Sequence, residues 1–158
     1  MTIIRAAMPA DTATILGFVR ELAAFEREPD AVVATEPMLA EALFGPRPAA
    51  EAVIAERDGV PIGFALFFAN FSTWTGRQGL YLEDLYVTPS ARGGGVGKAL
   101  LIHLAGIARD RGWARFEWSV LDWNTPAVEF YRAMGAQPME EWTVQRVSGE
   151  ALARLAGR

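Results

Sequence analysis

Hydrophobic positions along this chain switch between helical and extended spacing, and the switches mark out its elements. Thr2 to Ala7 is a short β-prone run closed by Met8-Pro9. Ile15, Phe18, Val19, Leu22 and Phe25 then recur at helical spacing, which predicts an amphipathic helix over Asp11–Arg27. Ala10-Asp11-Thr12 supplies its capping residues and Glu28-Pro29-Asp30 its break. A shorter helix is expected over Thr35–Leu43, from a Thr-Glu-Pro start to Gly45-Pro46. Glu51–Glu56 and Ile62–Ala69 are apolar runs around Asp58-Gly59, the signal of a hairpin. Asn70–Gly79 reads as a polar loop carrying Trp74, and Leu80–Val87 as a strand. Val96, Leu100, Leu101, Leu104 and Ile107 predict a helix over Gly95–Arg111, ended by Gly112. Ala114–Val120 reads as the next strand. Asn124-Thr125-Pro126 opens a helix whose apolar face carries Val128, Tyr131 and Met134, and Gly135 ends it. Trp142–Val147 is expected to be a last strand, and Ser148 the cap of a short C-terminal helix. Helices and strands alternate irregularly without repeat or linker, which points to one sheet with helices, of α/β or α+β class.

The remaining composition narrows the partners. A length of 158 residues predicts one domain spanning 1–158, and 51% hydrophobic with 22% charged residues suits a globular core. Net charge is −4 with no run of Lys or Arg, which argues against nucleic acid and favours cationic small molecules. No apolar run is long enough to cross a membrane, and the first residues lack the blocks of a signal peptide. With no cysteine, disulfides and thiol nucleophiles are excluded, and a cytoplasmic location is expected. One His and no Cys cannot supply the usual structural zinc ligands, so no metal is expected. That residue, His103, sits near apolar positions of the Gly95–Arg111 helix and reads as structural.

The most distinctive chemistry lies between Val87 and the following helix, where the chain reads Thr88-Pro89-Ser90-Ala91-Arg92-Gly93-Gly94-Gly95-Val96-Gly97-Lys98. Free backbone N–H groups at a helix N-terminus, unobstructed by side chains, form a site for phosphate. Two common phosphate loops are excluded by spacing. A P-loop places glycine where Arg92 stands and Ser or Thr where Ala99 stands, and a Gly-x-Gly-x-x-Gly fingerprint beginning at Gly93 fails at Lys98. What fits is Arg-x-x-Gly-x-Gly, at Arg92, Gly95 and Gly97.

This loop resembles the coenzyme A pyrophosphate loop of the GCN5-related N-acetyltransferases. The segment from Asn124 to Ala136 is similar to that family's Asn-x-x-Ala-x-x-Phe-Tyr-x-x-x-Gly element, and the likeness runs along essentially the whole chain. Glu21 to Glu26, Trp74, Tyr81 to Asp84, and Trp123-Asn124-x-Pro126 look like the diamine (spermidine/spermine) and thialysine branch. Two positions depart from it: Phe25 replaces a frequent Tyr, and Gly17 an Arg of the mammalian enzymes. The resemblance implies an α/β fold with a mixed, mostly antiparallel sheet flanked by helices, acetyl-CoA as cofactor, and a homodimer. It implies direct transfer of acetyl to the primary amine of a small cationic acceptor, a polyamine, a diamine or a lysine-like amino acid, with protein N-termini or lysines, amine drugs or a non-catalytic coenzyme A sensor as alternatives.

Such a reaction needs a neutral amine, so a base must deprotonate an ammonium. Glu83 is the candidate base, acting through water; its competing reading is a solvated strand carboxylate. By the resemblance Tyr131 protonates the departing sulfur, although its apolar helix face also suits a core tyrosine. The same resemblance places Leu85, Tyr86 and Val87 along the pantetheine arm, and Arg92, Gly93, Gly94, Gly95, Val96, Gly97 and Lys98 around the pyrophosphate. It puts Asn124, Pro126 and Ala127 near the cofactor, and Phe25, Glu26, Glu117, Trp118 and Ser119 around the acceptor. Asp84 and Glu141 are further candidates for an acidic pocket that Trp74 could wall by cation–π contact. A solvated face would explain any one of these acids.

Overall fold

The computed structural model describes residues 1–157 and divides into two compact units, one up to Ser119 and the other from Val120 onward. The first holds β1 (Thr2–Ala6), α1 (Thr12–Phe25), α2 (Glu36–Phe44), β2 (Glu51–Arg57), β3 (Val60–Ser72), β4 (Arg77–Val87), α3 (Val96–Asp110) and β5 (Phe116–Trp118). The five strands form one sheet in sequence order, antiparallel from β1 to β4 and parallel between β4 and β5. This is the mixed, mostly antiparallel sheet that the resemblance implies.

Period-2 alternation divides the sheet residues between two layers. On one face Ala52, Ile54, Phe64, Leu66 and Tyr86 pack with Ile15, Phe18 and Leu43 of α1 and α2. The alternate residues, among them Val53, Ala65, Phe67, Leu80 and Leu82, are buried as well, and α3 contributes Leu100, Leu101 and Leu104. Burying each of the leucine, isoleucine, valine and phenylalanine side chains contributes about 1.5–3 kcal/mol. Arg5 clamps the β1 edge to the start of α1: its guanidinium donates to both Asp11 oxygens at 2.8 and 3.0 Å and to Glu56 at 3.0 Å. That pairing holds the Asp11 carboxyl below its ordinary pKa.

Asp58 and Gly59, both at positive φ, make the two-residue turn between β2 and β3. The expected polar loop over Asn70–Gly79 is not a loop. β3 and β4 run on to Ser72 and Arg77 as paired strands, and the turn is only 73–76. Backbone pairing carries the strands through residues whose polarity suggested otherwise, because cross-strand hydrogen bonds do not depend on side-chain type. The strand expected over Ala114–Val120 shrinks to three residues.

The second unit contains α4 (Thr125–Ala133) and α5 (Gly149–Leu155). Asn124 and Ser148 occupy the expected N-cap positions. The expected strand at Trp142–Val147 is not formed among the described residues; the segment is exposed and has no ladder partner to hold it extended.

Close backbone approach between β3 and β4 requires the glycine at position 63. A Cβ at Gly63 would lie 2.7 Å from the Tyr86 carbonyl oxygen and 3.4 Å from the Val87 Cα. Gly63→Ala is therefore expected to force β3 from β4 and to cost about 1–3 kcal/mol, measured as a lower urea midpoint at unchanged slope. An unchanged midpoint would show that the strand pair tolerates the methyl group.

Candidate active site

The geometry of the site begins with one skipped residue. Leu66 of β3 pairs with Asp84 of β4, but the next β3 residue, Phe67, pairs with Leu82, so Glu83 bulges out of the ladder. A bulge re-aims the side chains around it. Here it puts Tyr81 and Asp84, three residues apart, on the same sheet face as their partners Phe68 and Leu66. Glu83 itself is exposed.

The bulge also marks where β4 leaves β5. Their parallel ladder joins Leu80, Tyr81 and Leu82 to Phe116, Glu117 and Trp118 and goes no further. Among the described residues, Glu83–Val87 has no ladder partner on that edge. An exposed row of N–H and C=O groups is a ready template for an extended ligand. At the fork, the Tyr81 hydroxyl lies 2.9 Å from Ser119 Oγ, and Asn70 Nδ2 donates to Glu117 at 3.5 Å. Glu117 shares the face of its partner Tyr81. Trp118, paired with Leu82, belongs to the other face and packs edge-on against Phe116 at 4.9 Å.

Three carboxylates gather by the bulge. Burial, then repulsion from Glu83 and Glu26, pushes Asp84 up to about 6. Glu26, the C-cap of α1, is exposed as a residue, yet loss of water around its carboxyl raises its pKa as well. Charges that repel each other near a half-buried position provide a favourable place for a cation.

Beyond β4, Gly93 and Gly95 adopt φ of +84° and +83°, and a Cβ on either would meet nothing within 4 Å. Gly95 is the N-cap of α3 and has no side chain to cap it, so the first turn's donors keep their orphan status. Among the described residues, none of the backbone N–H groups from Gly93 to Lys98 has a protein acceptor. Consecutive unpaired donors on an open glycine loop fit a diphosphate.

Other expected residues lie elsewhere. Trp74 is 80% exposed in the β3–β4 turn, and the strand from Arg77 to Glu83 spans about 20 Å, so Trp74 and the bulge lie at separate ends of that strand segment. A surface depression of about 610 Å³ at that end involves Asn70, Gln78, Arg111 and Trp113. Its Arg111 is already paired with Glu51 at 2.7 and 2.8 Å and stacked on Trp113. In the second unit Asn124 accepts from Ala127 N–H at 3.4 Å, with Pro126 in the first turn. Tyr131 is half-buried there, its ring 5.5 Å from that of Phe130, and Glu141 is exposed.

Sequence patterning missed two features. The bulge at Glu83 carries no Gly or Pro signal. Arg57, at the end of β2, belongs to no motif, yet its Nη2 lies 4.0 Å from where a Cβ on Gly94 would stand.

The acetyltransferase (GNAT) family model matches residues 17–136. The chain is 39% identical to a thialysine N-epsilon-acetyltransferase of Sus scrofa, over 99% of this chain and 98% of that protein. It is 33% identical to an L-ornithine N5-acetyltransferase of Arabidopsis thaliana, over 94% of this chain and 85% of that one. Among solved structures, an integron cassette protein from the mobile metagenome of V. cholerae matches with a TM-score of 0.83 and 28% identity, over 99% of this chain and 98% of that one.

The Asp84 environment makes a pH-dependent prediction. Folded Asp84 holds its proton above the ordinary carboxylate range, so ionising it costs stability, and that cost appears as pH rises from about 4 through 6. Asp84→Asn removes it. The variant is expected to be more stable than wild type at pH 7.5, by as much as about 3 kcal/mol, and no more stable at pH 4. Denaturant titrations at the two pH values check this; no gain at pH 7.5 would contradict it.

Proposed function

Because the chain belongs to the acetyltransferase (GNAT) family, we propose that it moves the acetyl group of acetyl-CoA onto the primary amine of a small cationic acceptor, a diamine, a polyamine or a lysine-like amino acid. The observation that carries this reading is the Glu26–Glu83–Asp84 carboxylate set beside the unpaired edge of β4. The names of the thialysine and ornithine relatives support the same acceptor class.

Acetyl-CoA supplies an acetyl group activated as a thioester. The open glycine loop fits its pyrophosphate through the N–H groups of Gly93–Lys98, and the Leu85–Val87 edge suits its extended amide-bearing arm. Asp84 and Glu26 hold the acceptor's cationic end, and Tyr81, Glu117 and Ser119 lie on the same sheet face. Glu83, exposed at the bulge, takes a proton from the acceptor's ammonium through water, which frees the neutral amine to attack the thioester. Tyr131 returns a proton to the departing sulfur, and Asn124, Pro126 and Ala127 serve the cofactor; their match to the family element supports these roles. The family match crosses the boundary after Ser119, which supports one functional domain over 1–158. The branch resemblance supports a homodimer, and a sequence without cysteine suits the cytoplasm.

Release of free CoA from acetyl-CoA, measured against thialysine, ornithine, lysine, spermidine and putrescine, tests the reading. Turnover is expected with at least one of them. Glu83→Gln should then lower kcat by about 10²–10⁴-fold at neutral pH, with acetyl-CoA affinity nearly unchanged. Saturable acetyl-CoA binding without turnover for any amine would favour a sensor. Equal activity of the variant across pH would remove Glu83 as the base.

A further inference from the structure

Two arginines approach the glycine loop, and they serve different neighbours. Arg92, which the Arg-x-x-Gly-x-Gly pattern assigns to phosphate, turns toward the protein. Its guanidinium carbon lies 5.5 Å from the centroid of the Phe25 ring and 5.4 Å from that of Tyr86. Its Nε donates to the Val87 carbonyl at 2.9 Å. Tyr86 is buried and lies 5.7 Å from the core ring of Phe18. Arg92 thus joins the last residue of α1 to the end of β4, and a guanidinium held by two aromatic rings and a carbonyl has given up most of its freedom to follow a ligand.

Arg57 has the opposite setting. It is exposed, has no carboxylate partner among the described residues, and places Nη2 beside Gly94 at the middle of the loop. The same nitrogen donates to Thr2 Oγ1 at 3.0 Å, which anchors one corner of the guanidinium and leaves its other donors available. A cation with one corner fixed, next to consecutive unpaired N–H groups, is preorganised for a phosphate oxygen.

We infer that Arg57 is the arginine that binds the cofactor's phosphate groups, with Thr2 as its positioning residue, and that Arg92 is instead a positioning residue that fixes the end of α1 against β4. The inference rests on the acetyl-CoA reading above. It also links Arg92 to the acceptor: Glu26 directly follows Phe25, so releasing Phe25 loosens Glu26 relative to Asp84.

Titration of CoA into wild type and variants by calorimetry separates the two roles, with thermal melts recorded for each protein. Arg57→Ala should raise the Kd for CoA about fivefold or more, with part of the affinity restored in Arg57→Lys. The gap between wild type and Arg57→Ala should narrow as salt is raised. Thr2→Val should reproduce part of the loss. Arg92→Met should change the Kd by less than about twofold but raise the acceptor KM about fivefold. Arg92→Lys keeps the charge without the Nε bond, and should show the same rise in acceptor KM if the methionine variant fails to fold. The inference is overturned if Arg57→Ala binds CoA like wild type, or if the Arg92 variants carry the loss of CoA affinity. Wild type that binds no CoA would overturn the cofactor reading as well, whereas normal wild-type binding with the order of variants reversed overturns this inference alone.

Discussion

The site depends on one irregularity in backbone pairing, the bulge at Glu83. A regular ladder would leave Tyr81 and Asp84 on opposite faces and give β4 no reason to part from β5 at Leu82. With the bulge, a single strand presents an outward carboxylate, a half-buried carboxylate and an unpaired edge within five residues. Gly63 opposite Val87 keeps β3 close behind that edge, so the opening occurs on the β5 side only. The packed layers of α1, α2 and α3 around β3 and β4 hold this arrangement against the tendency of free strand edges to find other partners.

Electrostatics then divides the first unit into two regions of opposite character. Near the bulge, burial and the neighbouring Glu83 and Glu26 carboxylates raise the proton affinity of Asp84, and a bound ammonium would relieve that repulsion. Around the glycine loop the exposed groups are backbone N–H donors with Arg57 and Lys98 nearby. The two regions lie at either end of the short strand Glu83–Val87, as a reaction joining an anionic cofactor to a cationic acceptor requires. Arg92, clasped by Phe25 and Tyr86, links them mechanically.

Much of this was legible from the residues. The helix over 12–25 follows from the spacing of Ile15, Phe18 and Leu22, and the loop at 93–97 from glycines that no side-chain packing would explain. The Asp58-Gly59 turn was equally plain, since both residues adopt the positive φ that this dipeptide favours. The long β3–β4 hairpin was not, because Asn70 and Gln78 are held by backbone pairing that polarity does not report. Trp142–Val147 looked like a strand by composition, but residue type cannot say whether a neighbouring strand exists. Glu83 was identified as a charged residue beside the loop, yet its bulge depends on the register of β3 against β4. Arg57 is next to Gly94 only through the folding of the β2–β3 turn against the loop, and spacing along the chain does not reveal that proximity.

Backbone amide hydrogen exchange with and without acetyl-CoA addresses the central claim most directly, because it reads the N–H groups themselves. The account predicts that acetyl-CoA slows exchange at Gly93–Lys98 and along the outer edge of β4 from Glu83 to Val87, while the β3–β4 turn around Trp74 stays unchanged. Protection confined to the turn, or absent from both the loop and the β4 edge at saturating cofactor, would contradict it.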